Sequence, residues 1–186
     1  YSKASRPVAD RSMAVGCLSE IAQEVGVPIH GHWKNIFLPC TLAGLSDPDN
    51  NVKRNAAFLC GIACEHLKES VVADYPSLLQ GLSPIFGMPV DGSTEALACV
   101  DNAAAAIARM IMASPSHVPL EQVLPVFCMA LPLTTDFTEN ETVYNCLLGL
   151  CQMNHPALPK AEVIRIFSKA VQEGSTVDAE MQGRMK

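Results

Sequence analysis

HWKNIFLPCTLAGLSDPDNNVKRNAAFLCGIACEH, residues 32–66, is the stretch whose reading decides the fold. Ile36, Leu38, Leu42 and Leu45 recur at helical spacing, and so do Val52, Ala56, Leu59, Cys60 and Ala63. Between them lies Ser46-Asp47-Pro48-Asp49-Asn50-Asn51. Pro48 forbids helix continuation there, and an Asp or Asn side chain can accept from the first amides of the next helix. The stretch therefore predicts two helices joined by a tight turn. One such hairpin cannot bury its own apolar faces, so further copies must lie beside it.

The copies are present in order. Residues 1–27 contain a single amphipathic helix, Val8 to Val25, with Val8, Ala14, Val15, Leu18, Ile21, Ala22 and Val25 as its expected core; it reads as the second helix of a truncated unit and stops at Gly26 and Pro28. Residues 28–72 hold the hairpin above. Residues 73–116 open near Tyr75, turn at Pro89-Val90-Asp91-Gly92 and continue as a long Ala-rich helix from Thr94 to Ser114. Residues 117–156 open at Pro119, turn through Pro132 to Glu139 and continue as NETVYNCLLGLCQM. Residues 157–186 start a partial fifth unit at Pro159. Pro39, Pro84 and Pro125 mark the first helices, with Arg165 in the fifth slot, at separations of 45, 41 and 40 residues. That spacing matches HEAT repeats, about 40–47 residues each. Each proline either bends its helix or starts a shorter one. The expected fold is all-α: a HEAT-repeat α-solenoid of four to five units, truncated at both ends.

Composition narrows the function. Apolar residues make up 49% of the 186, aromatics only 5%, which suits Ala- and Leu-rich helix packing. The best membrane candidate, Ala96 to Ala113, carries Asp101, Asn102 and Arg109, so no span is expected. A net charge of −6 argues against direct nucleic-acid binding and for basic partners. The eight cysteines fall on apolar helix faces and read as buried free thiols of a reducing compartment. Cys60, Cys64 and His66 share a helix face without the second ligand pair a zinc site needs, and His30 and His32 lack acidic or thiol companions nearby. No nucleophile elbow, phosphate loop, dinucleotide fingerprint or zinc-protease motif occurs, so neither enzyme nor cofactor is expected.

The acids carry more information. Second helices line the inner side of such a stack, and Glu20, Glu24, Glu65, Glu69, Glu95, Asp101 (beside Asn102), Glu139 and Glu141 recur along them. Together they predict an acidic groove for Lys/Arg-rich segments, with Trp33, Phe58 or Tyr144 taking aliphatic stems or cation–π contacts. Arg11 and Arg54 open second helices, where a cation opposes the helix dipole and asks for a partner. Turn acids such as Asp47 and Asp49 are the natural candidates for a bidentate pair that sets repeat spacing.

Asp10-Arg11-Ser12-Met13-Ala14-Val15-Gly16, Val52-Lys53-Arg54-Asn55-Ala56, Val100-Asp101-Asn102-Ala103, Ala108-Arg109-Met110-Ile111-Met112-Ala113-Ser114-Pro115 and Ala130-Leu131-Pro132-Leu133 resemble the importin-β (karyopherin-β) family, in its C-terminal repeats and over nearly the whole chain. The resemblance implies a receptor shuttling between cytoplasm and nucleus. It also implies basic cargo such as histones three and four, with or without a histone chaperone, and ribosomal proteins. Contacts with Phe-Gly repeats of nucleoporins and release by the GTPase Ran are implied for the full-length receptor, the Ran-binding part lying largely in repeats absent here. Asp101 stands where the preceding unit has Arg54, so a continuous Asp–Arg ladder is not expected. The competing reading is a phosphatase-subunit-like scaffold that holds folded partners through the turns Asp47–Asn51, Asp91–Thr94 and Asp136–Asn140.

Because neighbouring units cover one another, extending the chain by one native repeat at either end is expected to raise the melting temperature. Thermal unfolding of the two extended chains checks this, and unchanged values in both would contradict the truncated-unit reading.

Overall fold

A computed structural model describes residues 5–89, 92–172 and 177–185. These residues form helices and turns, with no strand among them. The second helices are α1 (Val8–Val25), α3 (Asn50–Leu67), α5 (Thr94–Ala113) and α7 (Asn140–Gln152). The first helices are α2 (Leu38–Leu45), α4 (Tyr75–Phe86), α6 (Leu120–Met129) and α8 (Lys160–Gln172), and a short α9 (Ala179–Arg184) follows. The arrangement is that of an all-α HEAT-type solenoid. α2 is preceded by a 3₁₀ segment (Val27–His32) and a π-helical turn (Trp33–Phe37). Pro39 thus stands at the start of α2, whereas Pro84 and Pro125 lie inside α4 and α6.

Local chemistry sets the boundaries. Asp49 accepts from the amides of Asn51 and Val52 at 3.0 and 3.2 Å and so starts α3. Ser93 does the same for α5 through the Ala96 amide at 3.3 Å. Gly26, at φ 67°, ends α1 in a conformation that side chains with a Cβ resist.

The inner side is built on close approach. A Cβ at Gly61 of α3 would meet Ala106 Cα of α5 at 3.0 Å and Arg109 Cδ at 3.1 Å. Ala103, Ala104, Ala105, Ala106 and Ala108 of α5 are all buried. Within the hairpin, a Cβ at Gly44 would stand 2.7 Å from Ala56 Cβ. α5 is long and apolar enough to cross a membrane, yet most of it is buried inside the stack.

Between units, the starts of α1 and α5 reach the turn of the next unit. Arg11 grips Asp47 with two bonds, Nε–H to Oδ2 at 2.7 Å and Nη2–H to Oδ1 at 2.9 Å, and its Nη1 donates to the Arg6 carbonyl. Both side chains are buried. The hydrogen bond from Arg11 is the main reason the Asp47 carboxyl sits below its ordinary value of 3.8, against the opposing effect of burial. Two units on, Asp101 fills the slot with opposite polarity: its carboxylate accepts from the amides of Thr134, Thr135 and Asp136, while Asn102 donates to Asp136 Oδ2 at 2.8 Å. On the outer side Trp33 Nε1 and Lys34 Nζ donate to buried Asp74 at 2.8 and 2.5 Å.

Several expectations are corrected. Val8, Ile21 and Val25 are exposed, and the buried stripe of α1 is Arg11, Val15, Ser19 and Ala22. Ser19 stays satisfied there by donating to the Val15 and Asn55 carbonyls. Cys17 and Cys151 are exposed and Cys40 is half-buried; the others are buried, and all eight are free. The expected bidentate pair is made by Arg11 with Asp47. For Arg54, which makes no ion pair among the described residues, the turn acid of the next unit, Asp91, lies outside them, and its pairing remains a proposal. The partial fifth unit also contains α9, capped by Asp178 through the Met181 amide at 2.8 Å.

Two outcomes follow from this packing. Gly61→Val forces α3 and α5 apart and should cost roughly 1–3 kcal/mol, read in chemical denaturation. Arg11→Ala should lower the melting temperature by several degrees, with Arg11→Lys recovering only part because an ammonium cannot reproduce the two-bond fork. Since the Asp47 carboxyl is depressed in the folded chain, the stability it contributes is present above its unfolded value and is lost as pH falls through the folded one. Asp47→Asn should therefore flatten the acid limb of the stability profile below about pH 4.

Candidate functional site

The end of α3, the end of α5 and the start of α7 enclose a hollow of about 460 Å³. Glu65 and Lys68 line one wall, Thr138, Glu141 and Asn145 the other, and Arg109, Met112 and Ala113 lie between. Arg109 organises it. Its Nε donates to Glu65 Oε2 at 2.8 Å, and its Nη1 stands 2.8 Å from Glu139 Oε2, off the hydrogen-bonding direction. Its guanidinium carbon lies 5.6 Å from the centre of the Phe58 ring. Arg109 and Glu139 are almost fully covered, while Glu65 keeps 55% of its side chain exposed. Glu65 lies seven residues, about two turns, beyond Phe58 on the same face of α3, so ring and carboxylate reach the same cation.

The expected acidic residues separate into two groups. Glu65 and Glu141 converge on this hollow. Glu69, just beyond α3, accepts from Ser114 Oγ at 2.7 Å and stands 3.9 Å from His117 Nδ1, fastening two inter-unit linkers together. Glu95 is exposed in the first turn of α5, about 21 Å along the helix axis from Arg109 at 1.5 Å per residue. Glu20 and Glu24 are exposed, but they share a stripe with Met13 and Cys17. That stripe lies across α1 from the one that meets α3, so these two acids do not share a wall with Glu65.

Four expected groove residues are not groove residues at all. Trp33 is buried, because its indole N–H is used by Asp74. Asp101 is buried under the 134–136 turn, where burial pushes its carboxyl up while three amide donors pull it down. Asn102 is spent on the Ala98 carbonyl and Asp136. Glu139 makes no capping bond at the start of α7 and is instead buried against Arg109. Tyr144, also offered for aliphatic stems, is buried against Phe167 in an edge-on contact, leaving Phe58 as the half-exposed aromatic at the hollow.

Arg109 was the residue that periodicity passed over. Its signal was a cation inside AAAAIARMIM, where an almost wholly apolar helix must supply partners for a buried charge. Met112, Thr138 and Asn145 carry no such signal. Burial pushes the Cys99 and Cys128 thiols up to about 11 and Cys146 up to about 12, which disfavours their thiolates. Among the described residues no three His, Cys, Asp or Glu side chains gather as metal ligands would.

No family model matches the chain. It is 31% identical over 164 residues to the probable importin subunit beta-4 of Schizosaccharomyces pombe, which aligns with 87% of this chain. It is 34% identical to human importin-4 over 73% of its length and 32% identical to mouse importin-4 over 90%. The chain spans only 12–15% of the length of these relatives. Matched along most of its length by importin-4 and importin beta-4 proteins, and folded as stacked helical hairpins, the chain is an importin-4-like member of the importin-β (karyopherin-β) family.

Proposed function

We propose that this chain is a cargo-binding part of a nuclear transport receptor and that it takes Lys/Arg-rich segments at the hollow between α3, α5 and α7. The observation that carries this reading is the convergence of Glu65 and Glu141, on separate units, on one depression with Met112 and Ala113 beside them. A lysine stem can lie on the apolar surface while its ammonium meets the carboxylates. Glu141 forms no ion pair among the described residues and is free for a ligand. Glu20, Glu24 and Glu95 contribute attraction at longer range, which salt screens beyond about 8 Å.

In this proposal the cargo class is basic protein segments, histone tails (three and four, with or without a chaperone) and ribosomal proteins foremost. Ran, Phe-Gly nucleoporins and passage between cytoplasm and nucleus belong to the full-length receptor. The turn-borne scaffold reading has less support, because Asp47 and Asp136 are engaged by Arg11 and Asn102.

The test is fluorescence anisotropy with a Lys/Arg-rich peptide at two salt concentrations. Replacing Glu65 and Glu141 together by Gln should weaken binding roughly fivefold, from about 0.5 kcal/mol per exposed carboxylate, and should reduce the salt dependence. Replacing Glu20 and Glu24 together should cost less than twofold. Equal losses would show that overall charge attracts the peptide, without a defined site.

A further inference from the structure

We propose that Arg109 is a built-in competitor for the ligand's cation, and that it sets the affinity of the hollow by occupying Glu65. This inference rests on the cargo-binding reading above. Arg109 projects from α5 into the space between Glu65 and the start of α7, and its guanidinium, largely covered, stays charged at any physiological pH. The two carboxylates it touches differ sharply. Glu139 is buried, so its charge needs a permanent counter-cation. Glu65 is more than half exposed and is held by a single aligned bond at 2.8 Å. An exposed pair of that kind exchanges partners at little cost. Arg109 is therefore fixed at its Glu139 and Phe58 side and replaceable at its Glu65 side.

The charged groups facing the hollow are Glu65 and Lys68 from α3 and its end, Arg109 from α5, and Glu141 from α7. An incoming ammonium meets two fixed cations as well as two carboxylates. The partial neutralisation keeps binding weak enough to be reversed. It also makes Arg109 an affinity-setting residue that lowers binding of every basic segment alike, in contrast to a residue that recognises one.

The prediction runs opposite to that of a structural or recognition role. Arg109→Met alone would strand Glu139, so the test uses the double variant Arg109→Met/Glu139→Gln, which removes the buried pair together and leaves a stem beside Phe58. Circular dichroism and thermal unfolding first establish that it folds. A Lys-rich peptide should then bind roughly two- to fivefold tighter than to the wild-type chain, with a steeper salt dependence, the gain expected from freeing one exposed carboxylate. Adding Glu65→Gln to the double variant should abolish that gain. Unchanged or weaker binding to the folded double variant overturns the proposal. So does a gain that survives Glu65→Gln. If the double variant does not fold, Glu65→Asp in the wild-type chain serves instead: the shorter side chain lets go of Arg109 but keeps its charge, so the Lys-rich peptide should bind tighter than to the wild-type chain, and unchanged or weaker binding overturns the proposal. Absence of peptide binding to the wild-type chain refutes the cargo reading itself, a result distinct from any of these.

Discussion

The rest of the structure depends on how closely α3 and α5 approach. At Gly61 there is no room for a Cβ against the Ala106 backbone, and a run of alanines lets the two helices lie nearly backbone to backbone. That contact fixes the register of neighbouring second helices. Register in turn brings Arg109 of one unit level with Glu65 and Phe58 of the unit before. A larger residue at Gly61 would move the walls of the hollow apart as well as strain the core. Packing on one face thus determines electrostatics on another.

The turns show how one structural task is done by different chemistries. Arg11 binds the next turn through the Asp47 carboxylate, whereas Asp101 binds its next turn through three backbone amides. In the first, two buried charges satisfy each other; in the second, the turn amides satisfy a buried carboxylate. The first joint is an ion pair and so depends on pH through Asp47. The second leaves a buried carboxylate whose burial and hydrogen bonds pull in opposite directions. Exchange of charge at one repeat position therefore does not break the stack, provided that the following turn offers the complementary group.

Much of the fold was legible in residues 32–66. Pro48 and the Asp cluster impose a stop, and apolar periodicity on both sides imposes helices. The π-helical turn at Trp33–Phe37 was not legible, because its residues have the same spacing as an ordinary helix start. The site was legible only in part, since periodicity tells which face a residue occupies and not what it meets there. Glu65 and Glu141 read correctly as exposed acids on second helices, but Asp101 and Glu139 carried the same signal and are consumed by partners 33 to 35 residues ahead or 30 behind. Trp33 likewise looked like a free aromatic until its N–H met Asp74, 41 residues on. Glu20 and Glu24 stand at the same end of their helix as Glu65, yet the rotation of α1 about its axis turns them elsewhere.

The unequal joining of successive units has a mechanical meaning. α3 and α5, of the second and third units, meet at Gly61 and Ala106, where a Cβ on the glycine would stand only 3.0 Å from the Ala106 Cα. On the outer side, a cleft of about 240 Å³ lined by Leu79, Phe86, Val123 and Phe127 separates α4 from α6. The tight contact thus joins the second and third units, whereas the cleft lies between the third and fourth, so successive junctions of the stack are unequally filled: a change of angle would be taken up more readily at the cleft than at the glycine contact.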